Sequence, residues 1–414
     1  MLSAFEYRIY PTKEQEQFLL KTNGLGRLYW NLSLAKKQEA FENNEKWNIG
    51  SYKAVFTELK PEAVEWCEEV DSTALAAYWN DITSAFNNFF KSCRGQRKLR
   101  VEAPRFKSRK TSKVSITWTS AAQPKILKNG YLFLTKKLGP VKGVFHRWAE
   151  GTFKHATISQ TKTGKWFVKI CVEKKDEPKN KNGKSVGIDW NCRDEDFIVM
   201  SNGTKVKCPR YLQKASKQLG HQQRLLSKKF VKGLDIQSNN YLKQKQKVAL
   251  LHEKVANQRK DWLHKLSRKI CNEYETVVVE DINLQTMAKM HHGKVVGDQG
   301  FGMLRRMISY KGHLEKVNPK NTSKTCHICG FVNEKVVVGV NEWKCPNCGA
   351  QHDRDINAAL NILHKWNVTS QSIVGGELTE NTNACGEPRS SMKQEVCQPF
   401  CSEKANKLTK QMSL

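Results

Sequence analysis

The sequence predicts a multidomain α/β protein, and three observations carry that reading. Short β-branched and aromatic runs, SITW, YLFL and WFVKICVE, crowd residues 115–173. Apolar residues at helical spacing precede them and recur after residue 240. Two Cys-x2-Cys pairs stand near the end, at 326–329 and 345–348. At 414 residues the chain is long enough for two or three separate cores.

Phe5, Tyr7 and Ile9 alternate with Glu6, Arg8 and Tyr10, a half-buried strand ended by Pro11. Thr12 and Gln15 have the spacing of a capping box, so a helix starts there. Leu75, Trp79, Ile82, Phe86 and Phe89 then mark an amphipathic helix, and an aromatic stripe of this kind belongs to a core sooner than to a base-stacking surface. Residues 12–95 read as a helical domain. From Ala103 the chain is β-rich, with turn signals at Asn129-Gly130 and Thr163-Gly164, as in a compact β-barrel or sandwich. If the first strand pairs with this group, 1–11 and 96–175 form one β domain and the helices are an insertion in it. KKDEPKNKNGK, 174–184, is a polar, turn-rich linker.

Beyond the linker, SVGID and FIVMSNG read as two adjacent strands with a turn at Asn202-Gly203. From Arg210 to Lys269 there are sixteen basic residues against three acids, while Val248, Leu251, Val255, Trp262, Leu266 and Ile270 keep helical spacing. That imbalance is too large for internal pairing and predicts a phosphate-facing helix pair. ETVVVEDINL follows, a β-branched strand ending on two acids. The net charge is +30, and Thr369–Leu414 hold five basic and five acidic residues, so the whole excess lies upstream. Such a balance predicts a polyanion partner, because binding phosphates releases condensed counterions. MLSAFEYRIYPTKEQ lacks a signal-peptide pattern, and no apolar run is long enough to span a bilayer, which predicts a cytosolic protein. In that reducing compartment thirteen cysteines read as thiols and metal ligands.

Cys326, Cys329, Cys345 and Cys348 form two knuckles fifteen residues apart, each followed by glycine, the spacing of a zinc ribbon. A site closed by four thiolates holds shape and leaves no position for hydrolysis. His327, inside a knuckle, reads as exposed. Soft thiolates select zinc, whereas the nearby carboxylates suit magnesium. Asp189 and Glu280 close β-runs, and Asp355 lies in the first turn of a helix with Ile356, Ala359 and Leu363 on one face. Any one of them alone would read as a cap or a surface pair. Converging at one sheet edge, the three would repel one another unless divalent cations neutralised them. In a chain built for phosphates they point to a two-metal phosphodiesterase site, with cations about 4 Å apart. Asp353 competes for the third position.

GIDW, VVVEDINL, the paired knuckles and HDRDINAALNI occur in an order that resembles the TnpB (OrfB) proteins of bacterial insertion sequences and their relatives, the miniature type V CRISPR nucleases. YRIYPTKEQ, DSTALAAYWNDITSAFNNFFK, PRFKS and NQRKDWLHKLS extend the resemblance over residues 4–365. It implies an RNA-guided DNA endonuclease: a RuvC-like (RNase H fold) nuclease domain over 183–321 and 351–366 with a zinc ribbon inserted at 322–350. A β-barrel wedge domain and a helical recognition insertion precede it, and a disordered tail, 367–414, follows. By the same resemblance Asp189, Glu280 and Asp355 are catalytic acids binding two magnesium ions, and Arg354 and Asn357 orient the scissile phosphate. Asp353 is then a helix N-cap, and Asp194 and Asp281 are bystanders. The implied partners are a guide RNA and double-stranded DNA bearing a short target-adjacent motif, with one chain per RNA, in the nucleoid-associated cytoplasm. Where relatives often carry a small residue, this first motif continues WNCRDED, which predicts a different packing after Asp189.

Rival readings are a type V CRISPR effector with an array-derived guide and a nuclease-inactive regulator, the latter disfavoured because no acid of the set is missing. A strand-joining transposase is disfavoured by the lack of a tyrosine or serine nucleophile motif. Cys385, Cys397 and Cys401 are too irregularly spaced for a second zinc site.

Overall fold

The computed structural model describes residues 2–47, 55, 69–70, 72–97, 100–119, 125–127, 129–147, 150–175, 181–191, 196–234, 236–283, 293–337 and 339–374. These fall in two compact units that divide after Asp176.

The first unit contains β1 (Leu2–Tyr10), α1 (Lys13–Glu42), α2 (Ser72–Cys93), β2 (Ser115–Thr119), β3 (Lys125–Ile126), β4 (Tyr131–Phe133), β5 (Pro140–Val144), β6 (Thr152–Gln160) and β7 (Trp166–Glu173). Its strands make a single antiparallel sheet in the order β2-β6-β7-β1-β5-β4-β3, not the two packed sheets of a sandwich. β1 lies between β7 and β5, so α1 and α2 interrupt the sheet between its first and second strands. The alternation predicted for β1 holds: Phe5, Tyr7 and Ile9 enter a core with Ile116, Trp118 and Trp166. The capping box opens α1, with Thr12 Oγ1 accepting from Gln15 N at 3.3 Å and Gln15 Oε1 accepting from Thr12 N at 3.0 Å. Ile82 and Phe86 of α2 pack on Trp30 and Leu34 of α1, with Trp79 and Phe89 alongside, so the aromatic stripe is core. The Leu75 side chain lies outside the described residues.

The second unit contains β8 (Ser185–Trp190), β9 (Asp196–Met200), β10 (Lys205–Lys207), α3 (Tyr211–Lys229), α4 (Asn239–Glu273), β11 (Thr276–Glu280), α5 (Gly293–Gln299), α6 (Phe301–Lys311), β12 (His313–Val317), β13 (Glu342–Lys344), β14 (Gln351–Asp353) and α7 (Arg354–Val374). Five strands form a mixed sheet in the order β10-β9-β8-β11-β12. β8, β9 and β10 pair antiparallel, whereas β11 is parallel to both β8 and β12.

Period-two alternation divides the residues of the central strands between the two faces. Val186, Ile188 and Trp190 of β8 and Val277 and Val279 of β11 pack against Leu263, Leu266 and Ile270 of α4 and Phe301, Leu304 and Ile308 of α6. Gly187, Asp189, Val278 and Glu280 therefore belong to the opposite face. There α7 crosses β8 so closely that a Cβ on Gly187 would lie 2.2 Å from the Ala359 carbonyl oxygen. The GID glycine thus answers a close backbone approach. Trp190, in the departing part of the first motif, is buried edge-on against Phe301 at 5.2 Å.

The elements differ from the sequence reading in three places. β10 and β12, unread in the sequence, flank the sheet; β12 is a largely half-exposed edge strand, HLEKV, with no apolar alternation. β14 pairs with β13, so the ribbon runs to Asp353, into the stretch assigned to the nuclease. α7 continues to Val374, eight residues past the expected end of order at Trp366, through a polar, β-branched sequence with low helix propensity. The remainder of the tail, with its three cysteines, and Asp194 lie outside the described residues. Among the described residues no helix is long and apolar enough to cross a membrane.

Candidate active site and metal centre

Asp189 is the penultimate residue of β8 and Glu280 the last of β11. The parallel register pairs Val278 with Gly187 and Val279 with Ile188, and the same offset sets Glu280 beside Asp189. In open sheets ligands gather beyond the carboxyl ends of parallel strands, where both acids stand. α7 brings Asp355 to them in its first turn. Burial, and then the charges of Glu280 and Asp355, push the Asp189 carboxyl well above the ordinary range. Glu280 is raised by its own burial, against the Thr322 hydroxyl and the Lys365 charge.

Asp353 has a different task. Its Oδ1 accepts from the backbone N–H groups of Asp355 and Ile356, both at 3.0 Å, and its Oδ2 is paired with Lys205 at 2.6 Å. It is the N-cap of α7. Burial would raise its carboxyl, but Lys205 and the two capping amides hold it below the ordinary range. Asp281, exposed just past β11, pairs with Lys316 at 3.1 Å.

Several groups that the sequence did not reveal hold the acids. Asn191 Nδ2 donates to Asp355 Oδ2 at 2.8 Å, and Gln299 Nε2 donates to the Asn191 carbonyl at 3.1 Å. The Thr322 hydroxyl donates to Glu280 Oε1. Asn361 Nδ2 in turn donates to the carbonyls of Thr322 and Thr325, at 2.8 and 2.6 Å. The Arg354 guanidinium lies 3.3 Å from Asp355 Oδ1, and its Nε is buried without a hydrogen-bond partner. Asn357, expected to orient a phosphate, is engaged by the protein itself. It is 1% exposed, its Oδ1 accepts from His327 N and Nδ1 at 3.0 Å each, and its Nδ2 donates to the Thr325 carbonyl at 2.8 Å. Both ends of its amide brace a cysteine knuckle.

The four cysteine sulfurs lie within 4.8 Å of one another, with Cys326–Cys348 at 3.7 Å and Cys329–Cys345 at 3.6 Å. A tetrahedron with Zn–S bonds near 2.3 Å has an edge of about 3.8 Å, so the set fits zinc. The two knuckles repeat one geometry. Gly330 N donates to the Cys326 carbonyl and Gly349 N to the Cys345 carbonyl, both at 2.9 Å, with both glycines at φ +76°. Among the described residues only Val336, Trp343, Cys326 and Cys345 form a buried core here, with Val340 alongside, too little to hold a fold without a metal. His327 is exposed, as predicted. His352, which the sequence did not flag, is buried with Nε2 at 3.1 Å from Cys326 Sγ and its ring against Trp343. It supports the sulfur from outside the ligand set.

Among the described residues the cysteines are the only three or more candidate ligands whose atoms all lie within 4.8 Å. The acids are more widely set. Their hard oxygens, and the burial and mutual repulsion that raise the Asp189 carboxyl, fit divalent cations.

Three family profiles match the chain: "Helix-turn-helix domain" over residues 1–46, "Probable transposase" over 169–291 and "Cas12f1-like, TNB domain" over 301–362. The first falls on β1 and the single long helix α1. A Streptomyces pristinaespiralis protein described as "Putative RNA-guided DNA endonuclease" is 33% identical over 410 residues, covering 95% of this chain and 96% of its own. The chain belongs to the TnpB (OrfB) family. A second relative, Escherichia coli K12 InsQ, carries the same description and is 30% identical over 390 residues, 87% of this chain and 92% of its own. Both alignments span the acid set and the knuckles of the TnpB chain. The solved structure "Structure of the mini-RNA-guided endonuclease CRISPR-Cas_phi3" superposes with a TM-score of 0.48 at 10% identity, over 88% of this chain and 92% of that one, and adds nothing to the TnpB assignment.

Proposed function

We propose that this protein is an RNA-guided DNA endonuclease. On this reading it recognises a short motif beside the target in duplex DNA, pairs its guide RNA with the target strand and hydrolyses DNA phosphodiesters. One observation carries it: Asp189, Glu280 and Asp355 meet at one end of the five-stranded sheet, with the Asp189 carboxyl raised by its burial and then by the charges of the other two. Acids whose charges act on one another, two of them buried, have little structural value and call for cations. The descriptions of the two full-length relatives support the same activity, and the +30 charge supports nucleic-acid partners.

The second unit is then the RuvC-like nuclease, with the ribbon inserted between β12 and α7. The interrupted sheet of the first unit is the barrel-like wedge domain, 1–11 and 96–175, with 12–95 as the recognition insertion. Asp189, Glu280 and Asp355 would hold two magnesium ions, which supply Lewis acidity and an activated water. Arg354, beside Asp355, offers a fixed positive charge to a phosphate oxygen. Thr322 and Asn191 orient Glu280 and Asp355. The four cysteines would hold one structural zinc.

The test is to express the protein with its flanking DNA, sequence the RNA that co-purifies and use that RNA to direct cleavage. A structured RNA overlapping the 3′ end of the gene, and magnesium-dependent cleavage lost in Asp189→Ala with target binding retained, are expected. A repeat-derived RNA would favour the CRISPR effector. Absence of any discrete RNA would leave direct DNA binding as the explanation of the charge.

A further inference from the structure

The connection between α3 and α4 projects large apolar side chains into solvent. Phe230, Val231, Leu234 and Ile236 are 52%, 52%, 56% and 87% exposed. This is a clustered patch, unlike the single exposed apolar residues scattered over any protein surface. The loop is also built. The Gln237 side chain accepts from Val231 N at 3.0 Å and donates to the carbonyls of Val231 and Leu234 at 2.8 and 2.9 Å, while the Phe230 ring rests 5.8 Å from that of Tyr241. A tip braced in this way presents its apolar groups at fixed positions.

The flanks identify the partner. From Arg224 to Lys247 the chain has seven basic residues and one acid, and all seven basic side chains are exposed. Protein surfaces seldom match such a density of positive charge, whereas a phosphate backbone does. Apolar side chains with basic neighbours are the equipment of proteins that push between base steps or stack on splayed bases. We propose that this tip inserts Phe230, Leu234 and Ile236 among the bases of a bound nucleic-acid strand while the adjacent lysines hold its phosphates. The proposal rests on the nucleic-acid-binding part of the function above and on none of the catalytic acids.

The probe is a single-stranded oligonucleotide substituted with 5-iodouracil, irradiated with the full-length protein and mapped by mass spectrometry. Crosslinks should fall in the peptide 230–241, and the triple variant Phe230→Ser, Leu234→Ser, Ile236→Ser should bind about tenfold more weakly with an unchanged salt slope. Lys228→Gln, Lys229→Gln, Lys232→Gln should lower that slope by roughly 2 while keeping the crosslink position. Circular dichroism melting controls for the fold, which exposed residues should not disturb. Crosslinks confined to other segments, or wild-type affinity in the serine variant, would overturn the proposal. So would a wild-type dimer that the serine variant abolishes without loss of oligonucleotide binding, which would give the tip to a second copy. Guided cleavage by the wild-type protein is scored separately, so either reading can fail alone.

Discussion

Gly187 in β8 lies under Ala359 of α7 with no room for a side chain: a Cβ there would meet the Ala359 carbonyl oxygen at 2.2 Å and Leu363 N at 2.9 Å. α7 carries Asp355 and β8 carries Asp189, so this contact sets the distance between two of the three acids. Gly187→Ala should lift the helix from the strand, cost about 1–3 kcal/mol of stability and suppress cleavage at temperatures where the variant is still folded. A thermal melt and a cleavage assay on one preparation check this. Wild-type values for both would show that α7 is not seated as described.

The two aspartates at the start of α7 are separable. Asp353→Asn keeps the cap, because asparagine caps as well as aspartate, and loses an exposed ion pair with Lys205. Stability should change by less than about 1 kcal/mol, and cleavage should persist. Asp355→Asn should abolish cleavage with target binding intact. The reverse outcome would make Asp353 the third acid.

Thr322 acts on Glu280 through one hydrogen bond. Thr322→Val removes the donor and nearly preserves the volume. It should weaken manganese binding at the acid site about 10–100-fold, measured by calorimetry without any turnover, with a parallel fall in cleavage. Thr322→Ser should restore both. If valine lowers stability alone, the threonine is merely structural.

Magnesium and pH should be linked. Asp189 and Glu280 hold their protons more tightly in the folded chain than in the unfolded one. Their ionisation therefore opposes folding: the penalty is absent below the ordinary carboxylate pKa of about 4 and grows as pH rises through the raised values. A divalent cation removes it. The increase in Tm on adding magnesium should grow as pH rises above the ordinary carboxylate range, and Asp189→Asn should flatten the trend. An increment that ignores pH would place the cation elsewhere.

Elemental analysis should find close to one zinc per chain. His352→Ala should lower zinc affinity about 10–100-fold, because the imidazole that supports Cys326 Sγ is lost. Chelation should unfold the ribbon, whose buried apolar set is small. A chain folded identically without zinc would remove the metal from the account.

The positions of Asp189, Glu280 and the four cysteines were legible because each stands at the end of a local pattern: a β-branched run, or a pair of cysteines followed by glycine. Asp353 and Asp355 could not be ranked from composition, since both precede the same apolar helix face; the hydrogen bonds to Asp355 N and Ile356 N decide that Asp353 caps. Thr322, Lys205 and His352 were invisible for a different reason. Thr322 meets Glu280 across 42 positions and Lys205 meets Asp353 across 148, and no periodicity encodes a contact at that separation. Asn191 could have been found, because it continues the alternation of Asp189 by two residues.

α7, the last described element, is also the one that crosses β8 at the sheet's centre. A ribosome making this chain exposes Asp189 and Glu280 early and Asp355 only after the whole ribbon has emerged. The nascent polypeptide thus carries its basic helices while the acid set is still incomplete. On the function proposed above, nucleic-acid binding therefore precedes completion of the cutting site.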